Sequence, residues 1–192
     1  MYYEVTWLGR GGQGAVTASR LLAKALAKEG IWAQAIVFFG AERRGAPVYA
    51  YNRISNNRIK YHHFVYKADV IIVFEPSLIK ITGILEKAKD NAMILINYAG
   101  DVDKLGIDIS KYQVAKIDAT SIALDLGLLV AGIPVINTAM IGAFARVMGF
   151  PSIKSVEDTI LEAWSGRVGE LNAKAAKRAY EETIIVKDKE EE

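Results

Sequence analysis

Tyr3-Glu4-Val5-Thr6-Trp7-Leu8-Gly9-Arg10-Gly11-Gly12-Gln13-Gly14-Ala15 runs from an apolar segment through a glycine-rich turn toward a helix. Residues 3–8 read as a first strand, and Ala18, Leu21, Leu22, Ala25 and Leu26 then recur at helical spacing, with Gly30 placed to end the helix. Gly9, Gly11 and Gly14 satisfy G-x-G-x-x-G in the strand-to-helix context that gives the motif meaning. Such glycines permit a tight turn and close backbone approach, and the helix start offers free N–H groups to an anion. Two readings stand level: a phosphate site at Gly9, Gly11 and Gly14, and a compact turn with no dinucleotide. A dinucleotide ranks behind both, because the acid expected at the end of the second strand, about 20 residues on, is out of place.

Outward from that stretch, short apolar strands alternate with amphipathic helices, as in an α/β protein with an open, mostly parallel, Rossmann-like sheet and flanking helices. Residues 32–39 read as the second strand. Residues 48–55 and 58–64 both look extended around Asn56-Asn57, which suggests a hairpin at one margin of the sheet. Residues 70–74, 92–96 and 114–117 are further strands, with a helix over 78–89 between the first two, for about five parallel strands in all. After Asp118 the pattern turns helical: 121–130, 138–148, a helix begun by a capping box at Ser155-Val156-Glu157-Asp158, and, beyond Gly166 to Gly169, a helix over 170–182. This reads as one domain over 1–183 and a charged, mobile end over 184–192.

Two more stretches can carry chemistry. Gly40-Ala41-Glu42-Arg43-Arg44-Gly45-Ala46-Pro47 is expected past the end of the second strand, on the rim where open α/β sheets bind ligands. Its guanidiniums suit a phosphate, a carboxylate or an acidic protein surface, against the plainer reading of a solvated loop. Asn137-Thr138 opens an apolar helix, where either side chain can cap the helix or help receive an anion. His62 and His63 are adjacent, so they project to opposite faces of a strand and make a poor metal pair. Asp101, Asp103 and Asp108 lack the glycine and glutamate of a calcium loop.

Composition excludes more than it names. The 192 residues are 52% hydrophobic and 24% charged, so disorder is not expected. The chain has no cysteine, which removes disulfides, thiolate nucleophiles and any iron–sulfur cluster ligated by this chain. A net charge of +2 is too small to advertise a nucleic-acid surface. No leader pattern and no apolar run of about 20 residues appears, so the expectation is a cytoplasmic protein without a membrane span.

The glycine loop, the 40–47 loop leading into Tyr51-Asn52-Arg53-Ile54, the apolar strand running to Pro76 and the Asn137-Thr138 helix start together resemble the gamma subunit of the 2-oxoacid:ferredoxin oxidoreductases, of the pyruvate or 2-oxoisovalerate type. The resemblance covers essentially the whole chain. It implies one part of an enzyme that converts a 2-oxoacid, coenzyme A and oxidised ferredoxin into acyl-CoA, carbon dioxide and reduced ferredoxin. Thiamine diphosphate, magnesium and the iron–sulfur clusters would sit on partner subunits, the alpha, beta and delta chains or their fused equivalents, and ferredoxin would be met indirectly. The resemblance assigns no catalytic and no metal-binding residue to this chain. It makes Gly9 to Gly14, Glu42, Arg43, Arg44, Gly45, Asn137 and Thr138 the segments on the coenzyme A side, while Val135 stands where fused relatives often carry a basic residue. The alternatives are a purely structural subunit of the same complex and a free-standing NAD(P)-binding reductase.

Overall fold

The computed structural model of the chain describes residues 1–37, 45–60 and 65–186. Strand β1 (Tyr2–Arg10) leads through the glycine turn into α1 (Ala15–Lys28), which returns to β2 (Trp32–Val37). Then come β3 (Pro47–Ser55), β4 (Ala68–Val73), α2 (Leu78–Thr82) with a 3-10 turn over Ile84–Lys87, β5 (Ala88–Asn97) and β6 (Gln113–Ile117). The remainder is α3 (Ala119–Asp125), a small hairpin of β7 (Leu129–Val130) and β8 (Ile133–Pro134), α4 (Asn137–Met148), α5 (Ile153–Ala163), α6 (Gly166–Glu182) and β9 (Ile184–Val186).

Among the described residues, seven strands form one sheet in the order β2-β3-β1-β4-β5-β6-β9. The pairs β1·β4, β4·β5 and β5·β6 are parallel, and β2 runs in the same direction because β3 is antiparallel to both its neighbours. Alternate residues divide two cores. Val5, Trp7, Val70, Ile72, Met93 and Leu95 face the larger layer with α1 and α3 to α6, whereas Leu8, Ile71, Val73, Ile94 and Ile96 face a smaller layer that includes Leu78, Ile79 and Ile84. This is the two-residue period of a strand applied to strands buried on both sides.

The expected marginal hairpin is replaced by an insertion. Strand β3 lies between β2 and β1, and Arg58 to Lys60 carry no strand; residues 61–64, with His62 and His63, lie outside the described residues. The physical reason is Asn52, buried at the middle of β3. It accepts from Trp7 Nε1 at 2.7 Å and donates to Ser19 O at 2.9 Å and Gln34 O at 3.1 Å, so one side chain binds β3 to β1, α1 and β2.

Other boundaries shift for local reasons. The helix expected over 78–89 stops at Thr82, where Gly83 is left-handed at φ 62°, and β5 takes up the chain from Ala88. The helix expected over 121–130 ends at Asp125 and gives way to the β7–β8 hairpin. Helix α5 is capped by Ser152, whose hydroxyl accepts from Ser155 N at 3.2 Å, rather than by Ser155. Gly166 and Gly169 lie in the first turn of α6 instead of separating two helices, since a Cβ at 169 would run into Trp164 O. Ile184–Val186, assigned from sequence to the charged end, extend the sheet by pairing with β6.

Candidate functional site

The chain leaves β1 toward β2 on one side of the sheet and continues from β4 to β5 and β6 on the other. The carboxyl ends of β1 and β4 therefore flank the point where strand order reverses, the place where open sheets leave a crevice. The glycine loop stands there. Gly11 N donates to Ala46 O at 3.0 Å, Gln13 N to Arg10 O at 3.1 Å, and the Gln13 carboxamide turns back to accept from Arg10 N at 2.7 Å. Gly9 lies so close to the neighbouring strand that a Cβ would come within 3.3 Å of both Phe74 Cβ and Gln13 Oε1. Gly14 caps α1 in the left-handed conformation, at φ 88°, with no side-chain capping bond and no acid in the first turn. The amides that open α1 thus keep their donors for something outside the helix.

Asn137 comes to the same place from the other end of the chain. It is the first residue of α4, only 4% exposed, and a Cβ on Gly14 would fall 2.9 Å from its Nδ2. Its Oδ1 accepts from Thr138 N at 2.8 Å. Thr138 parts from it: fully buried, it donates from Oγ1 to Asn172 Oδ1 at 3.0 Å and so packs α4 on α6 instead of facing the crevice. Neither side chain is a helix cap, since Ile136 holds that position without a capping bond.

Glu42, Arg43 and Arg44 lie outside the described residues. Gly45 is described, left-handed at φ 84°, and its carbonyl accepts from Arg10 Nη1 at 3.0 Å. The side chains of Arg10, Ser77, Asn97 and Thr120 on this rim carry no part in the reading from sequence. Arg10 also donates through Nη2 to Ser77 Oγ at 2.9 Å. Asn97, at the end of β5, donates to Phe74 O at 3.0 Å and Thr120 Oγ1 at 2.9 Å, which ties the ends of β4 and β5 to α3. The available signal was a polar residue closing each apolar strand.

The inserted β3 also bears on a dinucleotide. A Rossmann acid must hold the ribose from the strand beside β1, and here β2 stands two strand spacings away, about 10 Å, with an antiparallel strand between. Among the described residues no group of three or more His, Cys, Asp or Glu is arranged to hold a metal ion, and the chain has no cysteine for a cluster. No helix among the described residues is long and apolar enough to cross a membrane.

Residues 4–182 match the family described as pyruvate ferredoxin/flavodoxin oxidoreductase, and the chain belongs to that family. It is 46% identical over 181 residues to the pyruvate synthase subunit PorC of Methanocaldococcus jannaschii, covering 94% of this chain and 97% of that one. It is 42% identical over 184 residues to the common gamma subunit of the pyruvate/ketoisovalerate oxidoreductases of Pyrococcus furiosus, covering 95% and 97%. Among solved structures, pyruvate oxidoreductase subunit PORC of Thermotoga maritima superposes with a TM-score of 0.81 at 33% identity, over 97% of this chain and 99% of that one. A 2-oxoglutarate:ferredoxin oxidoreductase of Magnetococcus marinus shares the fold, with a TM-score of 0.73 at 18% identity, over 94% of this chain but 31% of that longer one.

Proposed function

We propose that this chain is the gamma subunit of a multi-subunit, cytoplasmic 2-oxoacid:ferredoxin oxidoreductase of the pyruvate type, and that its strand-end crevice helps to bind coenzyme A. The observation that carries the reading is the meeting, at one reversal of strand order, of an uncapped α1 start, Asn137 and the described end of the arginine loop at Gly45. Coenzyme A carries a pyrophosphate and a 3′-phosphate, the groups that backbone N–H clusters and guanidiniums hold best. Thiamine diphosphate, magnesium and the iron–sulfur clusters belong in this reading to the alpha, beta and delta subunits or their fused equivalents, where they supply decarboxylation and electron transfer to ferredoxin. The role of this chain is to hold the co-substrate so that its thiol meets the acyl group, a contribution of proximity without proton transfer by its own side chains.

In the assembled enzyme, Arg43→Ala or Arg44→Ala is expected to raise the apparent KM for coenzyme A roughly tenfold, the worth of one charge-assisted hydrogen bond, and to leave the KM for the 2-oxoacid unchanged. Unchanged coenzyme A kinetics in both variants would refute the assignment. A second reading, that of a purely structural subunit, is favoured by a groove of about 340 Å³ between the β7–β8 hairpin and α6, beside which Leu129, Val130 and Val168 stand exposed. That reading predicts co-purification with an iron–sulfur complex but no protection of residues 9–14 or 40–47 by coenzyme A.

A further inference from the structure

Arg10 closes β1 at the crevice, and its guanidinium reaches the chain on both sides of that strand. Nη1 donates to Gly45 O at 3.0 Å, at the described end of the arginine loop, and Nη2 donates to Ser77 Oγ at 2.9 Å, in the turn that follows β4. Ser77 is itself fixed, since its hydroxyl donates to Glu75 Oε1 at 2.9 Å and its N–H reaches the same oxygen at 3.3 Å. The backbone of Arg10 is held as well, by the Gln13 carboxamide on its N–H and Gln13 N on its carbonyl. No ion pair among the described residues includes Arg10. The two bonds, one from each Nη, use the planar fork of the guanidinium in a way that a lysine ammonium cannot copy, because it is a single point charge on a flexible stem.

We propose that Arg10 is a positioning residue: by bridging Gly45 O and Ser77 Oγ it sets the distance between the entry to β3 at Gly45 and the turn after β4, and so presets the crevice at the end of β1. The inference rests on the coenzyme A reading of that crevice and adds to it a residue whose effect passes through two loops. Because Ser77 is one of the two anchors, removing it must reproduce part of the effect of removing Arg10.

The test uses the assembled oxidoreductase. Arg10→Ala is expected to raise the KM for coenzyme A about tenfold, with kcat changed less than about twofold and the 2-oxoacid KM unchanged. Arg10→Lys recovers only part of that loss. Ser77→Ala raises the coenzyme A KM about threefold, and the double variant is no worse than Arg10→Ala alone, because both changes break one bridge. Without coenzyme A, amide hydrogen exchange over residues 45–49 and 75–79 rises in Arg10→Ala. If Ser77→Ala leaves the coenzyme A KM unchanged and exchange in both segments does not move, Arg10 does not act through these loops and the proposal is overturned. If Arg10→Ala has no effect while Arg43→Ala or Arg44→Ala does, the positioning role falls and the coenzyme A reading stands. If none of these variants moves the coenzyme A KM, that reading falls, and the exchange experiment alone then decides whether Arg10 bridges the loops.

Discussion

The two ends of the sheet use charge in opposite ways. At the amino ends of the parallel strands, Glu4 on β1 faces Arg53 on β3 at 3.1 Å and Lys89 on β5 at 3.5 Å, while Asp69 on β4 takes Lys89 at 2.8 Å and Glu4 N at 2.7 Å. Arg53 is fully buried and Glu4 nearly so, while Lys89 and Asp69 reach the surface, so the charges of this network are paired with one another. At the carboxyl end of β1, Arg10 is bonded to a carbonyl and a hydroxyl, and α1 starts without a side-chain cap. Ions that satisfy one another hold strands together but have little left for a ligand. Donors bonded only to neutral groups keep their field for an incoming anion.

This contrast can be broken by experiment. The largest expected effect is at the closed end: Glu4→Gln removes the carboxylate that both Arg53 and Lys89 face and should cost about 3 kcal/mol in denaturant unfolding, with the coenzyme A KM unaltered. A change in that KM would mean the two ends are not separate. Next is Gly14→Ala at the open end, where a left-handed backbone and the nearby Asn137 Nδ2 predict a loss of about 2 kcal/mol together with weaker coenzyme A use by the assembled enzyme. Asn97→Ala should cost about 1 kcal/mol by freeing Phe74 O and Thr120, and its thermal shift should be accompanied by faster exchange at the start of α3.

The smallest effect concerns Lys89. Partial burial pushes its pKa down, but the hydrogen bond and charge of Asp69, joined by Glu4, outweigh that and hold it above the ordinary 10.5. A pKa raised in the folded state means that the stabilisation is complete below 10.5 and is lost as pH rises through the raised value. Lys89→Met should therefore be less stable than the parent at neutral pH by no more than about 1 kcal/mol, given the exposure of the pair, and the gap should close only in strong alkali. A gap that persists there would assign the loss to packing.

Much of the open end could be read in advance. The apolar run into Gly9-Arg10-Gly11-Gly12-Gln13-Gly14, followed by helical spacing, is a local pattern, and β1, the turn and α1 form where it indicates. The approach of Asn137 to Gly14 spans more than a hundred residues of chain, and periodicity carries no trace of it. Thr138 shows the same limit from the other side. Beside Asn137 it looked like a second polar group for a ligand, but one helical step of about 100° turns it into the α4–α6 contact. Arg10 was hidden in plain view inside the glycine motif, because a motif describes backbone and says nothing of where an intervening side chain reaches.

The sequence by itself determined the α/β class, the glycine turn and the absence of any thiolate ligand, because these depend on residue type and short-range spacing alone. The tertiary structure decided that β3 enters the sheet between β1 and β2, that Ile184–Val186 add a strand beside β6, and that Gly14, Asn137, Gly45 and Ser77 gather around the end of β1. An extended segment of alternating apolar residues fits an edge or an interior place equally well. Which place it takes depends on partners such as Trp7, Ser19 and Gln34, which meet Asn52 only once the chain has closed on itself.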